Sequence, residues 1–229
     1  MTDAAEMLEQ PENPGGRRLS DIAYQRVLET LFERKIPAGA FVSQNELVRL
    51  LGIPVAPLRD ALRSLEAEGV LTIHPRSGIQ FVKPGLELTR STYQFRTIIE
   101  KAAVAVYAET ADEDELAAIE QRHLAAMRGL EAEGITKALA AEMEALEPLL
   151  HNAIVGALSN PLIETTYRRM HHYLRIVRLD RKLTVPLALR SLREHMAIIE
   201  ACKARDPERA AAAVAAHFNA ALQRHMGLY

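Results

Sequence analysis

The spacing of apolar residues predicts two regions of different structure along the chain. Before about residue 86, short helix-like and strand-like runs alternate, and glycine and proline residues separate them. Beyond that point such breaks are sparse, and alanine-rich segments carry apolar residues at helical spacing. We therefore predict a domain boundary near residues 83–87.

The first region shows the element order of a winged helix-turn-helix, predicted over residues 19–83. Ser43 with Glu46 three residues later forms a capping box, which marks a helix start, and Gly52 is a helix stop signal. Strand-like alternation on both sides of a "PRSG" turn predicts a β-hairpin. The predicted elements are helices over 19–35, 43–51 and about 56–69, and strands over 70–74 and 79–83.

The second region is predicted to be an all-α bundle over residues 88–226, so the fold class is mainly α. Pro148 falls inside one of the helical segments and predicts a kink or a late helix start there. No internal repeat is visible, which favours a bundle over a solenoid. The predicted helices cover about 88–109, 112–132, 135–157, 161–182, 186–204 and 206–226.

Composition is that of a soluble globular protein, with 48% hydrophobic and 25% charged residues among 229. The single cysteine, Cys202, excludes an internal disulfide framework and is expected to be a small buried residue. No apolar run approaches the roughly 20 residues that span a bilayer. The acidic first 18 residues lack a signal-peptide core and are predicted to be a disordered tail, so we expect a cytoplasmic protein with no membrane partner.

The charge distribution favours a nucleic-acid partner for the first region only. Residues 17–83 carry ten Lys and Arg against seven Asp and Glu, whereas the whole chain has a net charge of −2. A basic first region suits phosphate binding. Arg59 and Arg63, four apart on the third predicted helix, share one face, although two exposed arginines are also common on a merely solvated helix.

The stretch "PAGAFVSQNELVRLLGIPVAPLRDALRSLEAEGVLTIHPRSGIQFV" resembles the N-terminal domain of GntR-family transcriptional regulators. The resemblance implies that Arg59 contacts DNA from the recognition helix, and that Arg76 and Ser77 lie at the wing tip near the minor groove. The residues that match the family pattern are Gly39, Glu46, Leu47, Leu50, Gly52, Pro57, Arg59, Ala61, Leu62, Leu65, Gly69 and Gly78.

This chain departs from the family at the start of the recognition helix. Where family members usually have Ser-Arg-Thr-Pro, it has the four residues "PVAP", 54–57. Apolar Val55 and Ala56 could touch thymine methyl groups instead. The alternatives are that base readout shifts to other residues or that sequence-specific binding is lost. The residues to which readout could shift are Gln44, Asn45, Arg49, Arg59 and Arg63.

Four residues of the second region could form a metal site. Glu147 and His151 are four apart on one helical face, and His195 and His217 lie on later helices. Three imidazoles and a carboxylate suit Zn²⁺, Ni²⁺ or Mn²⁺. From spacing alone a solvent-facing pair is the commoner outcome. The remaining histidines of this region, His123, His171, His172 and His225, are assigned to the surface or to packing.

Three segments resemble the ligand-binding domain of the FadR subgroup, the FCD type: "FRTIIEKAAVAVYA", "EPLLHNAIVGALSNPLI" and "REHMAIIEACKARDPERAAAAVAAHFNAAL". The resemblance implies a bundle-core metal held by the four residues above, with Glu147 in place of the usual Asp; in a fatty-acyl-type member the pocket holds no ion. It also implies that Arg96 contacts an effector carboxylate. Glu100 then orients Arg96, or the two form a surface ion pair. Tyr167 and Arg175 are weaker pocket candidates, from position only.

These inferences predict a ligand-responsive transcriptional regulator that is not an enzyme. Its partners would be double-stranded operator DNA, a small organic acid and a second copy of the chain, because two half-sites suit a two-fold dimer. The rival hypotheses are a metal-dependent hydrolase with a docking head, and a sensor whose sequence-specific DNA binding is altered or lost.

Overall fold

A computed structural model describes residues 18–179 and 182–227. The chain divides into two compact units, with the division between Pro84 and Gly85. The predicted tail lies outside the described residues except for Arg18, which precedes the first helix. Each unit is described by itself below.

The first unit is a winged helix-turn-helix, as the sequence predicts. The first helix ends three residues before its predicted end, because Arg34 adopts a left-handed backbone with φ 60° and the chain turns back. The amide of Lys35 then donates to the carbonyl of Thr30, 2.9 Å away. The elements are α1 (Leu19–Phe32), β1 (Phe41–Val42), α2 (Gln44–Leu51), α3 (Val55–Ala67), β2 (Leu71–His74) and β3 (Gly78–Phe81).

The wing is a three-stranded antiparallel sheet rather than a hairpin alone. β3 is central, with β2 on one side and β1 on the other. Phe41 of β1 pairs with Gln80, and Leu71 of β2 pairs with Phe81. The short extended piece before α2 therefore covers the edge of the hairpin that would otherwise be open.

The turn between α2 and α3 is fixed by local interactions at both ends of α2. The Glu46 amide donates to Ser43 Oγ at 3.2 Å, and the Ser43 amide donates to Glu46 Oε2 at 2.6 Å. Gly52 ends α2 with φ 64°, a left-handed conformation that glycine adopts without a Cβ penalty. α3 then begins at Val55, within the predicted range, and its N-cap Pro54 supplies no side-chain cap.

The core of the first unit lies between α1, α3 and the wing. It is made by apolar residues of the three helices, spaced so that they share one face of each, and of the central strand β3. These buried residues include Val27, Leu28, Leu31, Leu47, Leu58, Leu62, Leu65, Ile79 and Phe81.

The second unit is a bundle that contains all six predicted helices. α4 packs against four of the other helices, α6, α7, α8 and α9. Side-chain oxygens cap several helix starts: Asp112 accepts from the amide of Glu115, and Asn160 from that of Leu162. The helices are α4 (Leu86–Thr110), α5 (Glu113–Glu133), α6 (Lys137–Gly156), α7 (Pro161–Arg178), α8 (Val185–Lys203) and α9 (Pro207–His225).

The late helix start suggested by Pro148 is wrong. α6 begins at Lys137 and continues through the proline. Thr136 caps the start by accepting from the amide of Leu139 at 3.2 Å, and the first turns are rich in helix-forming alanine. These local signals outweigh the loss of the single backbone donor that Pro148 lacks. Glu147, directly before the proline, is therefore presented from within a continuous helix.

Candidate metal centre

Four buried polar side chains meet inside the bundle. Glu147 and His151 come from adjacent turns of α6, His195 from α8 and His217 from α9. One ligand atom of each residue lies within 4.8 Å of the others. All four are at most 9% exposed. The structure thus brings together the four residues that the sequence analysis singles out as metal ligands.

The Nε2 atoms of the three histidines are buried and have no hydrogen-bond partner among the described residues. The ring centroids of His195 and His217 are 4.7 Å apart, and His151 lies 5.1 Å from the first and 5.4 Å from the second. Buried polar atoms without a partner are rare because their desolvation is not compensated. Three of them at one point fit a bound cation.

Carboxylates outside the cluster fix the orientation of two of the histidine rings. His151 Nδ1–H donates to Glu100 Oε2, and His217 Nδ1–H donates to Glu194 Oε2 at 2.9 Å. An ionised carboxylate only accepts, so Nδ1 carries the hydrogen in both rings. In the neutral form of each ring, Nε2 then carries the lone pair that metal ligation requires, and this atom faces the cluster.

His195 has a histidine as its outer partner. Its Nδ1 lies 3.1 Å from Nε2 of His123, whose own Nδ1 is 2.8 Å from the carbonyl of Ile119. Of the two alternatives for His123, surface or packing, the surface is wrong, because the ring is completely buried. One sequence signal could have found it: His123 falls at helical spacing in the apolar stripe of α5. The buried stripe consists of Leu116, Ile119, His123, Ala126 and Leu130.

The two oxygens of Glu147 have different surroundings. Oε1 accepts from Arg96 Nη1 at 2.7 Å and from Arg178 Nη2 at 3.0 Å. Oε2 lies 3.6 Å from His195 Nε2. Burial opposes ionisation, yet Arg178, His151 and Arg96 hold the pKa of Glu147 well below its usual range. Glu147 is thus ionised, with Oε2 beside His195 and Oε1 also 3.6 Å from His151 Nε2.

Arg96 is completely buried and joins several helices. Its Nε donates to Glu100 Oε1 at 2.8 Å, and its guanidinium carbon lies 4.4 Å from the ring centroid of Phe218. The Tyr167 hydroxyl donates to the same Glu100 oxygen at 2.6 Å. Against the effect of burial, Arg96 and then His151 lower the pKa of Glu100 to about 2. The alternative of a surface ion pair between Arg96 and Glu100 is wrong, since both side chains are fully buried.

The effector-binding candidates divide into two groups. Arg96, Glu100 and Tyr167 form one hydrogen-bonded network beside the histidine cluster. Arg175 is exposed on α7, whereas Arg178, three residues further along, reaches Glu147. The spacing could have indicated Arg178, which follows the buried Tyr167 by eleven residues, about three helical turns.

The residues proposed to contact DNA lie at the surface of the winged helix. Arg59 and Arg63 are exposed on one face of α3, as are Val55 and Ala56 at its start. Arg76, with φ 65°, lies at the tip of the turn between β2 and β3. Asn45, Arg49 and Ser77 are also exposed, and Gln44 is partly exposed.

Comparison with known families matches both units. The FCD domain family matches residues 91–220, and the family of bacterial regulatory proteins, gntR family, matches residues 19–81. The FCD match alone covers more than half of the chain. The chain belongs to the GntR family with an FCD domain. It is a transcriptional regulator with a DNA-binding helix-turn-helix and a ligand-binding FCD domain.

Relatives of this GntR-family chain extend over most of its length. An uncharacterized HTH-type transcriptional regulator, YdhC of Bacillus subtilis strain 168, is 25% identical over 200 residues, 86% of each chain. The E. coli McbR/YncC structure has a TM-score of 0.73 at 17% identity, with 93% of this chain and 99% of that one covered. A putative GntR regulator from Rhodococcus sp. RHA1 has the same TM-score at 16% identity, with 92% and 98% covered. These two structures support the fold. None of the described helices is long and apolar enough to cross a membrane.

Acid is expected to destabilise the metal-free GntR-family protein. Burial lowers the pKa of His217 and of His171 to about 4, and that of His195 well below 6.5. Between these values and about pH 6.5 the unfolded chain binds more protons than the folded one, so stability decreases as the pH falls from 7 to 4. Melting followed by circular dichroism in chelator checks this. A melting temperature that is constant over that range would contradict it.

Proposed function

We propose that this chain is a metal-dependent regulator in which the bundle binds a divalent transition metal and a small carboxylate, and the winged helix binds operator DNA. The observation that supports this is the convergence of three unpartnered imidazole Nε2 atoms and one carboxylate oxygen in the FCD domain. Two half-sites suit a two-fold homodimer, and access to operator DNA implies a cytoplasmic location.

The donor set favours Zn²⁺, Ni²⁺ or Mn²⁺, because imidazole suits the first two and a carboxylate suits the third. His151, His195 and His217 would bind through Nε2, and Glu147 through Oε2. When bound, the ion would supply a Lewis-acidic position for an oxygen ligand. The protein groups hold the donors in place: Glu100, Glu194 and His123 fix the rings, and the arginines fix Glu147.

The local charge balance favours an anionic effector. Arg96 and Arg178 offset the two carboxylates Glu100 and Glu147. Outside them, Glu194 is offset by Arg224. A divalent ion at the histidines would therefore leave a buried excess of positive charge, which an anionic ligand neutralises. A small organic acid provides both the charge and oxygen atoms for the ion and the arginines.

Effector binding would require an exchange of hydrogen-bond partners. Arg96 already donates to Glu100 and to Glu147. An incoming carboxylate would therefore replace Glu147 Oε1 as the acceptor of the hydrogen bond from Arg96 Nη1. A cavity of about 250 Å³ between α6 and α7 gives access to Tyr167, which donates to Glu100. Displacement of Glu147 would shift α6 relative to α4, and this shift is the proposed signal.

A metal-dependent hydrolase finds less support in the same geometry. Three carboxylates lie in or beside the cluster. Glu100 and Glu147 are ion-paired with Arg96, and Glu194 with Arg224, and the pKa of each carboxyl is lowered. A general base needs a pKa near the working pH. These carboxylates serve as acceptors for arginine and histidine, which is a binding role.

Metal content is expected to be about one ion per chain when the protein is purified without chelator. The replacement His151→Ala removes one of four donors and should reduce the content below about a tenth of an ion. Elemental analysis of both proteins measures this. His74→Ala, in the wing and outside the cluster, is the matched control and should keep the metal. Metal-free wild type that takes up no Zn²⁺, Ni²⁺ or Mn²⁺ on titration would contradict the metal site.

Operator binding is expected to depend on the exposed arginines of α3. Arg59→Ala or Arg63→Ala should weaken binding by about 1–3 kcal/mol if the side chain reads a base, and reduce the salt slope by about 1 if it contacts phosphate. Footprinting and gel shifts on the DNA flanking the gene measure both effects. Arg128→Ala, exposed on α5, should bind like wild type. Equal binding by all four proteins, or no protection at low salt, would argue for lost sequence-specific binding.

Carboxylate binding is expected to depend on the metal. In a panel of citrate, succinate, gluconate and glutamate, at least one compound should raise the melting temperature of the metal-loaded protein, since ligands of the folded state stabilise it. The same compound should have no effect on His151→Ala and should change the gel shift. An identical response after treatment with chelator would place carboxylate binding away from the metal. No response to any compound would count against a carboxylate effector.

A further inference from the structure

His123 is a histidine of the bundle that contacts a candidate ligand, His195, without belonging to the ligand set. Its ring packs edge-on against that of His195, with centroids 5.3 Å apart and planes at 64°. Nε2 of His123 and Nδ1 of His195 are at hydrogen-bond distance, 3.1 Å. The side chain is completely buried, so water cannot replace this contact.

The hydrogen positions on this pair follow from their partners. The carbonyl of Ile119 can only accept, so His123 Nδ1, at 2.8 Å, carries a hydrogen. A completely buried ring without a carboxylate partner is neutral, so Nε2 of His123 carries a lone pair. His195 Nδ1 must then carry the hydrogen between the two rings. The lone pair of His195 is thereby placed on Nε2, which faces the cluster.

We propose that His123 is a positioning residue, which fixes the tautomer and ring orientation of His195 and thereby sets the affinity of the site for metal. This inference rests on the proposed function, since it assumes that the cluster binds a divalent ion. Removal of the group that is hydrogen-bonded to a ligating histidine commonly changes metal affinity by about 10–100-fold.

A neutral partner suits this position better than a carboxylate. The two anionic partners, Glu100 and Glu194, are each compensated by a buried arginine, Arg96 and Arg224 respectively. The ring of His123 is instead held by a hydrogen bond from Nδ1 to the backbone carbonyl of Ile119, four residues earlier. A third buried carboxylate would need a further cation, whereas imidazole provides the acceptor with no added charge.

The alternative is that His123 only fills space in the stripe of α5. Two replacements separate the roles. His123→Leu keeps an apolar group but removes the acceptor, and His123→Gln retains an acceptor oxygen close to the place of Nε2. We expect His123→Leu to bind Zn²⁺ about 10–100-fold more weakly in competition with a chelator, and His123→Gln to stay close to wild type.

A matched control is His225→Leu. His225 also makes an i−4 contact from Nδ1 to a backbone carbonyl, that of Ala221, but it adjoins Tyr93 rather than the cluster. Its replacement should leave Zn²⁺ affinity unchanged. Wild-type affinity in His123→Leu, or an equal loss in the Leu and Gln variants, would overturn the proposal.

The tautomer of His195 can be measured directly, and a purely space-filling role of His123 would not change it. In ¹⁵N NMR of the metal-free protein, His195 should be the Nδ1–H tautomer in wild type and in His123→Gln, and a mixture in His123→Leu. A predominant Nε2–H form in wild type would overturn the proposal. If His123→Leu does not fold, the wild-type spectrum still decides. If wild type binds no metal, the proposed function fails, whereas the spectrum still tests the contact.

Discussion

The bundle depends on the burial of one charge, the guanidinium of Arg96. Moving such a group out of water costs several kcal/mol unless charged partners and hydrogen bonds compensate it. Glu100 and Glu147 provide the carboxylates, and the ring of Phe218 covers one face. Because these groups come from α4, α6 and α9, the ion network fixes how the three helices pack. The candidate metal centre takes its geometry from this network, since Glu147 belongs to both.

Glu147 links the arginines to the histidines through its two oxygens. Oε1 is held by Arg96 and Arg178, and Oε2 faces His195. An aspartate, the usual residue of the FCD pattern, is one methylene shorter and would reach less far from α6. In this chain a ligand that competes for the arginines therefore also perturbs a candidate metal ligand. A ligand could use this coupling as a signal only if it binds one arrangement of the network more tightly than another.

The sequence predicted the fold well because the relevant signals are local. Apolar spacing located all six bundle helices. The Ser43–Glu46 capping box and Gly52 located the two ends of α2, and so the turn between α2 and α3 of the winged helix-turn-helix. Residue type and spacing suggested the four candidate ligands, and resemblance to the FCD pattern made them the favoured hypothesis. The contacts of His123, Arg178 and Glu194 were missed because they join helices distant in sequence. Helical spacing can mark His123 and Arg178 as facing the core, but it does not show which helix faces meet. Likewise the spacing of Arg96 and Glu100 indicated a pair but not its burial.

The start of the recognition helix shows how a departure from a family pattern can leave the fold intact. Pro54 provides no side-chain cap, but Pro57 has no amide to be capped, and the Leu58 amide bonds to the Pro54 carbonyl at 3.2 Å. The cost of the missing hydroxyl is therefore small. What changes is the surface: apolar Val55 and Ala56 stand where the family has polar side chains. Such an apolar surface suits contact with thymine methyl groups rather than polar base readout from this turn.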